Sequence, residues 1–313
     1  MNAVAAFAPG MPAVAGPEEF ALRIPAGSKL VFQVHYTPNG SPQKDRSQAA
    51  LIFADPAKVA KQVRIEAGIN PKFLIPPLIT DYPIAADRRI ERDSWLYSLT
   101  PHMHYRGKSF KFTAKYPDGA EEILLNVPRY DFNWQIIYLL KEPKRLPAGT
   151  VINMEGRFDN SYNNPLNPDP TAFVHWGDQT WDEMMLGSLT TSHADQDLRV
   201  GPPRVEEIRD AASKETGEYR VCFRYRPPAG DVDQPAELKA VHLGGTFNEW
   251  NMVSHRLAGP NAEGFYTTEL TLPAGRYEYK YVLNGDKWKA DPGVRDVTRE
   301  FGNSVLEVPS PPR

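Results

Sequence analysis

Proline density sets the first limit on this fold. Thirty of the 313 residues are proline, about 10% and roughly twice the usual share. They punctuate short runs rich in Val, Tyr, Phe and Thr, and no long helical period intervenes. The chain therefore reads as all-β. In KLVFQVHYTPNG (29–40), Leu30, Phe32, Val34 and Tyr36 share one face of a predicted strand and Val31, Gln33 and His35 the other, before a Pro-Asn-Gly turn. SWLYSLTPHMHY, SFKFTAKYPDG, EEILLNV, WQIIYLL and VINMEGRF follow the same rhythm, each ended by a turn former. Short strands at this spacing predict a jelly roll or sandwich.

The Asn- and Pro-rich stretch NSYNNPLNPDPT (160–171) reads as a loop. After TTSHADQDLRVGPPR the character changes, and the charged VEEIRDAASKETG is predicted to begin as a helix. A boundary falls near 201–215. Beyond it EYRVCFRYRPP, LKAVHLGGTFNEWN, GFYTTELTL, GRYEYKYVLNGDKW and NSVLEV form a second set of alternating strands, with the size of an immunoglobulin-like sandwich.

Charge excludes two partner classes. The net charge is −3 and no run of Lys or Arg exceeds two, so no footprint for nucleic acid or an anionic membrane exists. Hydrophobic residues make up 41% of the chain, enough for two ordinary cores. The opening MNAVAAFAPGMPAVAG lacks a basic region and contains prolines, so it fits neither a signal peptide nor a membrane span. Cys222 is the only cysteine. It permits neither an internal disulfide nor a thiolate cluster, and is expected to face a core as a small hydrophobe.

PHMHYRG (101–107) puts two histidines one residue apart. In an extended chain His102 and His104 project together while Met103 points away. That arrangement is a two-nitrogen half-site for a metal, or simply a strand that carries imidazoles.

Three spaced segments, QVHY (33–36), HMHYRGK (102–108) and HWGDQTWDEM (175–184), resemble the copper type II, ascorbate-dependent monooxygenases, the family of peptidylglycine alpha-hydroxylating and dopamine beta-monooxygenases. The resemblance implies copper held by His102, His104 and Met184, with oxygen activated there and ascorbate or another reductant as electron source. A thioether suits Cu(I), and imidazole binds both oxidation states. His35 matches one ligand of the family's second, electron-transfer copper, whose other ligands form a His-His pair that this sequence lacks. Residues 1–50 accordingly read as the remnant of an upstream copper domain, 51–200 as the copper domain, 201–215 as linker and 216–309 as the sandwich. Family habit implies an extracytoplasmic setting.

Where the peptide-amidating enzymes grip a substrate carboxylate, this chain has Thr100 and Ser188, so a glycine-extended peptide is not the expected substrate. Met185 is assigned to packing, and His175 to support of a ligand or plain burial. His193 is assigned to a solvent-facing loop, and Asp182 and Glu183 to a hydrogen-bonding scaffold.

VHLGGTFNEWN and GFYTTELTLPAGRYEYKYVLNGDKWKADPG resemble the glycogen-binding domain of the AMP-activated kinase beta subunit, carbohydrate-binding module family 48. By position Trp250 and Trp288 would stack on glucose while Lys280 and Asn303 bind hydroxyls, making α-glucan a partner. NGDKW is one residue longer than the kinase pattern, which threatens the placement of Trp288. The alternative to a copper monooxygenase with a glucan module is a non-catalytic carbohydrate-binding or scaffold protein, with structural or no copper.

Overall fold

The computed structural model describes residues 3–13, 16–36, 39–208, 217–228 and 237–310. The chain divides into two compact units. The first gathers residues 1–17, 21–53 and 63–193, the second 18–20, 54–62 and 194–313. Among the described residues no helix is long and apolar enough to cross a membrane.

In chain order the strands up to His193 are β1 (Phe20–Leu22), β2 (Lys61–Ile69), β3 (Leu74–Ile75), β4 (Tyr82–Arg89), β5 (Ser94–His102), β6 (Gly107–Lys115), β7 (Glu121–Val127), β8 (Tyr138–Leu146), β9 (Val151–Phe158), β10 (Val174–His175) and β11 (Leu186–His193). One sheet runs β1-β2-β11-β5-β8 and a second β4-β9-β6-β7, with β10 and β3 paired separately. Alternation, with a register shift in β5 between Leu96 and Ser98 that returns Leu99 to the inner face, turns Leu96, Leu99 and Leu189 of the first sheet and Phe110, Phe112, Ile152 and Met154 of the second into one buried core. Gly68 and Gly187 lie side by side across β2 and β11 because Met154 presses on both. A Cβ at either would stand 2.6 Å from its sulfur.

The second unit continues with β12 (Arg204–Glu207), β13 (Glu218–Tyr225), β14 (Val241–Gly245), β15 (Tyr266–Pro273), β16 (Gly275–Leu283), β17 (Lys287–Lys289) and β18 (Ser304–Val308). Sheets β12-β13-β15 and β14-β16-β17, with β18 on β16, close over Tyr219, Val221, Phe223, Leu243, Tyr279 and Tyr281. The all-β expectation holds, with a β-sandwich in the second unit.

Several local expectations are corrected. Residues 29–36 form no strand, and Leu30, Phe32, Val34 and Tyr36 are all exposed; alternation supplied the faces, but no neighbouring strand pairs with them. The predicted helical start after 204 is β12, paired antiparallel with β13, so part of the expected linker belongs to the sandwich. Residues 209–215 of that linker, and 216 after it, lie outside the described residues. Cys222 alternates with buried Val221 and Phe223 and is half-buried on the opposite face, not in the core. His193 ends β11 half-buried.

Asp291 sits inside the second core. The Tyr279 and Tyr281 hydroxyls donate to its Oδ2 at 2.6 and 3.2 Å, and the Gly293 N–H donates to Oδ1 at 2.7 Å. Burial pushes its carboxyl up to about 6 against those donors. With the folded pKa above the unfolded one, its contribution is greatest below pH 4 and falls as pH rises to 6, by on the order of 3 kcal/mol. Asp291→Asn, which carries no charge to bury, is therefore expected to gain on the wild type in urea midpoint between pH 4 and 7; a constant gap would contradict this. Gly187→Ala is expected to destabilise the first unit by roughly 1–3 kcal/mol through overpacking against Met154 and Phe112, read as a lower urea midpoint at unchanged slope.

Candidate functional site

The end of β5 delivers the first imidazole. His102 is its last residue and pairs with Leu186 of β11, while His104 lies in the turn towards β6. Met103 is fully buried in the core, and the two rings lie together, centroids 5.3 Å apart and nearly perpendicular. The Tyr130 hydroxyl fixes the turn by donating to Met103 O at 2.7 Å and accepting from Met103 N at 3.0 Å.

Each ring is anchored through Nδ1. Gln135 Oε1 faces His102 Nδ1 at 2.6 Å, and Gln135 Nε2 donates to Phe132 O at 2.8 Å, which sets the amide's orientation. His102 Nδ1 is therefore the donor. His104 Nδ1 donates to the Asp182 carbonyl at 3.3 Å. With the protons on Nδ1, both Nε2 lone pairs remain available to a metal. Burial lowers the pKa of both rings. That of His104 falls to about 4, with the His102 charge adding to the effect; at His102 the Gln135 bond opposes burial and the His35 charge reinforces it.

Glu183 ties the turn to the backbone ahead of β11. Fully buried, its carboxylate accepts the N–H of Arg106 at 2.6 Å, of His104 at 2.8 Å and of Met184 at 3.2 Å. Burial pushes its carboxyl up to about 8 against those donors and the Arg106 guanidinium. Met184 is half-buried, whereas Met185 is fully buried in the core.

The segment from His175 to Met184 closes on itself. Glu183 N–H donates to His175 O and Gly177 N–H to Glu183 O, each at 3.2 Å. Gly177 is required because a Cβ there would run into the Asp182 carboxylate. His175 itself is exposed, with Nδ1 donating to Trp176 O at 2.8 Å, which corrects the expectation of burial or ligand support. His35 is exposed and donates from Nδ1 to Asp178 O at 3.0 Å. Among the described residues no three His, Cys, Asp or Glu side chains gather as a metal set. A centre at this pair thus needs a donor of another kind.

Sequence reasoning missed Gln135, Tyr130 and Asn160. Gln135 was placed in a strand, yet β8 begins only at Tyr138. Asn160 Oδ1 accepts from Arg106 Nε at 2.8 Å, and its Nδ2 donates to Pro76 O and Ala172 O. The Asn-rich composition of that loop was its only signal.

In the second unit the outer face of β14-β16-β17 carries the residues expected to meet sugar. Trp250 and Trp288 lie with ring centroids 5.9 Å apart, tilted by 58°. The longer NGDKW turn still brings the two rings together. Gly244 makes room, since a Cβ there would meet the Trp288 ring at 2.7 Å. Trp250 and Glu249 both take left-handed backbone, φ 59° and 52°, a cost of about 1–3 kcal/mol each that clusters at functional positions. The Trp250 N–H bond to Gly245 O at 2.9 Å holds that turn. Lys280 Nζ donates to Phe301 O at 2.7 Å. Asn303 is buried and donates its amide to Glu278 Oε2 at 2.9 Å. Phe301, 65% exposed beside Lys280, went unnoticed in the sequence.

Residues 234–310 match the family model described as the glycogen recognition site of AMP-activated protein kinase. No curated protein matches the chain.

The hydrogen bonds around the imidazoles fix a tautomer. At pH 7 long-range proton–nitrogen NMR spectra are expected to show His102 and His104 neutral and protonated at Nδ1, and Gln135→Leu to release His102 alone. An Nε2-protonated pair would contradict the assignment.

Proposed function

We propose that the first unit is a copper-dependent monooxygenase holding one metal ion by His102, His104 and Met184, while the second unit holds α-glucan through Trp250, Trp288, Lys280 and Asn303. The observation that carries the oxidative half is the pair of Nδ1-anchored imidazoles with ring centroids 5.3 Å apart, where the Glu183 carboxyl accepts the backbone N–H groups of both His104 and Met184. Copper in this donor set supplies one-electron chemistry towards O2, because the soft sulfur favours Cu(I) and imidazole accommodates both oxidation states.

This chain's own residues supply orientation and the exclusion of charge. Gln135 and the Asp182 carbonyl aim the rings, and Glu183 locks the turn. Thr100 and Ser188 are cross-strand partners one residue pair removed from Pro101 and Gly187, which precede the His102–Leu186 pair. They place no cation beside the rings, which supports a neutral substrate over a carboxylate-bearing peptide. The overall reaction converts a C–H bond, O2, two electrons and two protons into an alcohol and water, with ascorbate or another one-electron donor as reductant. His35 is proposed as a vestige of a second copper site, since one imidazole does not hold copper tightly by itself.

A non-catalytic carbohydrate-binding protein is the second reading. It is favoured by the family match, which falls on the second unit alone.

Cu(II) titration followed by EPR is expected to give one tightly bound ion, lost in His104→Ala and weakened about 10- to 100-fold in Gln135→Leu, with ascorbate-dependent O2 uptake by the loaded protein. Copper affinity indifferent to both changes would favour the second reading. Glycogen co-sedimentation is expected to fail in Trp250→Ala/Trp288→Ala and to weaken in Gly244→Ala, which drives a methyl group into the Trp288 ring. Retention unchanged in all of these would remove the platform.

A further inference from the structure

A cleft of about 260 Å³ opens in the first unit, lined among others by Arg106, Asp169, Phe173, His175, Trp181 and Asp182. None of these was expected to bind a ligand. Phe173 and Trp181 are 60% and 47% exposed, so two large rings line the cleft and still face solvent. Such surface is costly to leave bare and is of use for stacking.

The polar lining is a built one. Arg106 is only 2% exposed. Its Nε donates to Asn160 Oδ1 at 2.8 Å and its Nη1 to Trp181 O at 2.7 Å, while Nη2 has no protein acceptor among the described residues. His175 uses Nδ1 on Trp176 O, which leaves Nε2 for a ligand. Asp169 accepts the Thr171 N–H and hydroxyl through Oδ1 at 2.9 and 2.7 Å. Donors and acceptors therefore both face the cleft.

The chemistry of the lining decides the ligand class. One guanidinium stands against the two carboxylates of Asp169 and Asp182, a formal excess of one negative charge, so the cleft rejects an anion. Two solvent-facing rings for stacking, with donors and acceptors together, match a neutral polyol. The second unit's glycogen-recognition match brings one such polymer to this chain.

We propose that this cleft is a second carbohydrate site, taking a single glucosyl unit of a neutral α-glucan. Phe173 and Trp181 stack on the sugar, and Arg106, His175, Asp169 and Asp182 bond its hydroxyls. The backbone carbonyl of Asp182 also orients His104, so the sugar lies at the edge of the imidazole pair within the same unit. The proposal goes beyond the oxidative reading and needs no metal, so the two fail separately.

The test uses the full chain with its platform silenced by Trp250→Ala/Trp288→Ala, titrated with maltoheptaose by calorimetry and NMR without copper. Saturable residual binding is expected, weakened roughly tenfold by adding Trp181→Ala and also reduced by the conservative, exposed Asp169→Asn, which guards against misfolding. No saturable binding in the silenced chain, or residual binding indifferent to both added changes, overturns the proposal.

Discussion

One buried carboxyl group organises the first unit's candidate centre. Glu183 has no access to water, yet receives three backbone N–H groups from a turn and a loop nearly eighty residues apart. A carboxyl so buried is tolerated only when its oxygens are satisfied. The donors that satisfy it are the backbone N–H groups of His104, Arg106 and Met184, so meeting that requirement holds the 104–106 turn against the 183–184 segment. The neighbouring bonds extend the same logic. Tyr130 grips Met103, Gln135 and the Asp182 carbonyl hold the rings, and Arg106 joins Asn160 to Trp181.

The second unit solves a simpler problem on a sheet face. Its core is aromatic and closed, with Asp291 held by two tyrosines, while the outer face keeps its two indoles half-buried. Two successive left-handed residues, Glu249 and Trp250, shape the turn that presents the first indole, and the absent side chain at Gly244 accommodates Trp288. In both units a rigid sandwich carries the candidate chemistry at strand ends, loops or one open face.

Much of this was legible in sequence because it was local. Alternation gave most strands, and the two histidines around Met103 followed from the period of two. The spacing from His175 to Met184 recorded a closed loop whose glycine makes room for Asp182. What escaped depends on tertiary neighbours. Gln135 and Tyr130 lie in stretches without a pattern, and the structure alone shows what they touch. Residues 29–36 have strand-like alternation, yet alternation cannot supply a pairing partner. Cys222 was legible but misread: Tyr219, Val221, Phe223 and Tyr225 already claimed the core phase, which put Cys222 with Arg220 and Arg224 on the other face.

X-ray absorption at the copper edge of the Cu(I)-loaded chain is the most direct measurement of the central claim. The account expects two imidazole nitrogens and one sulfur around the metal, with the sulfur signal lost in Met184→Ile and both nitrogens retained. A site without sulfur, or one whose sulfur persists when Met184 is replaced, would contradict it.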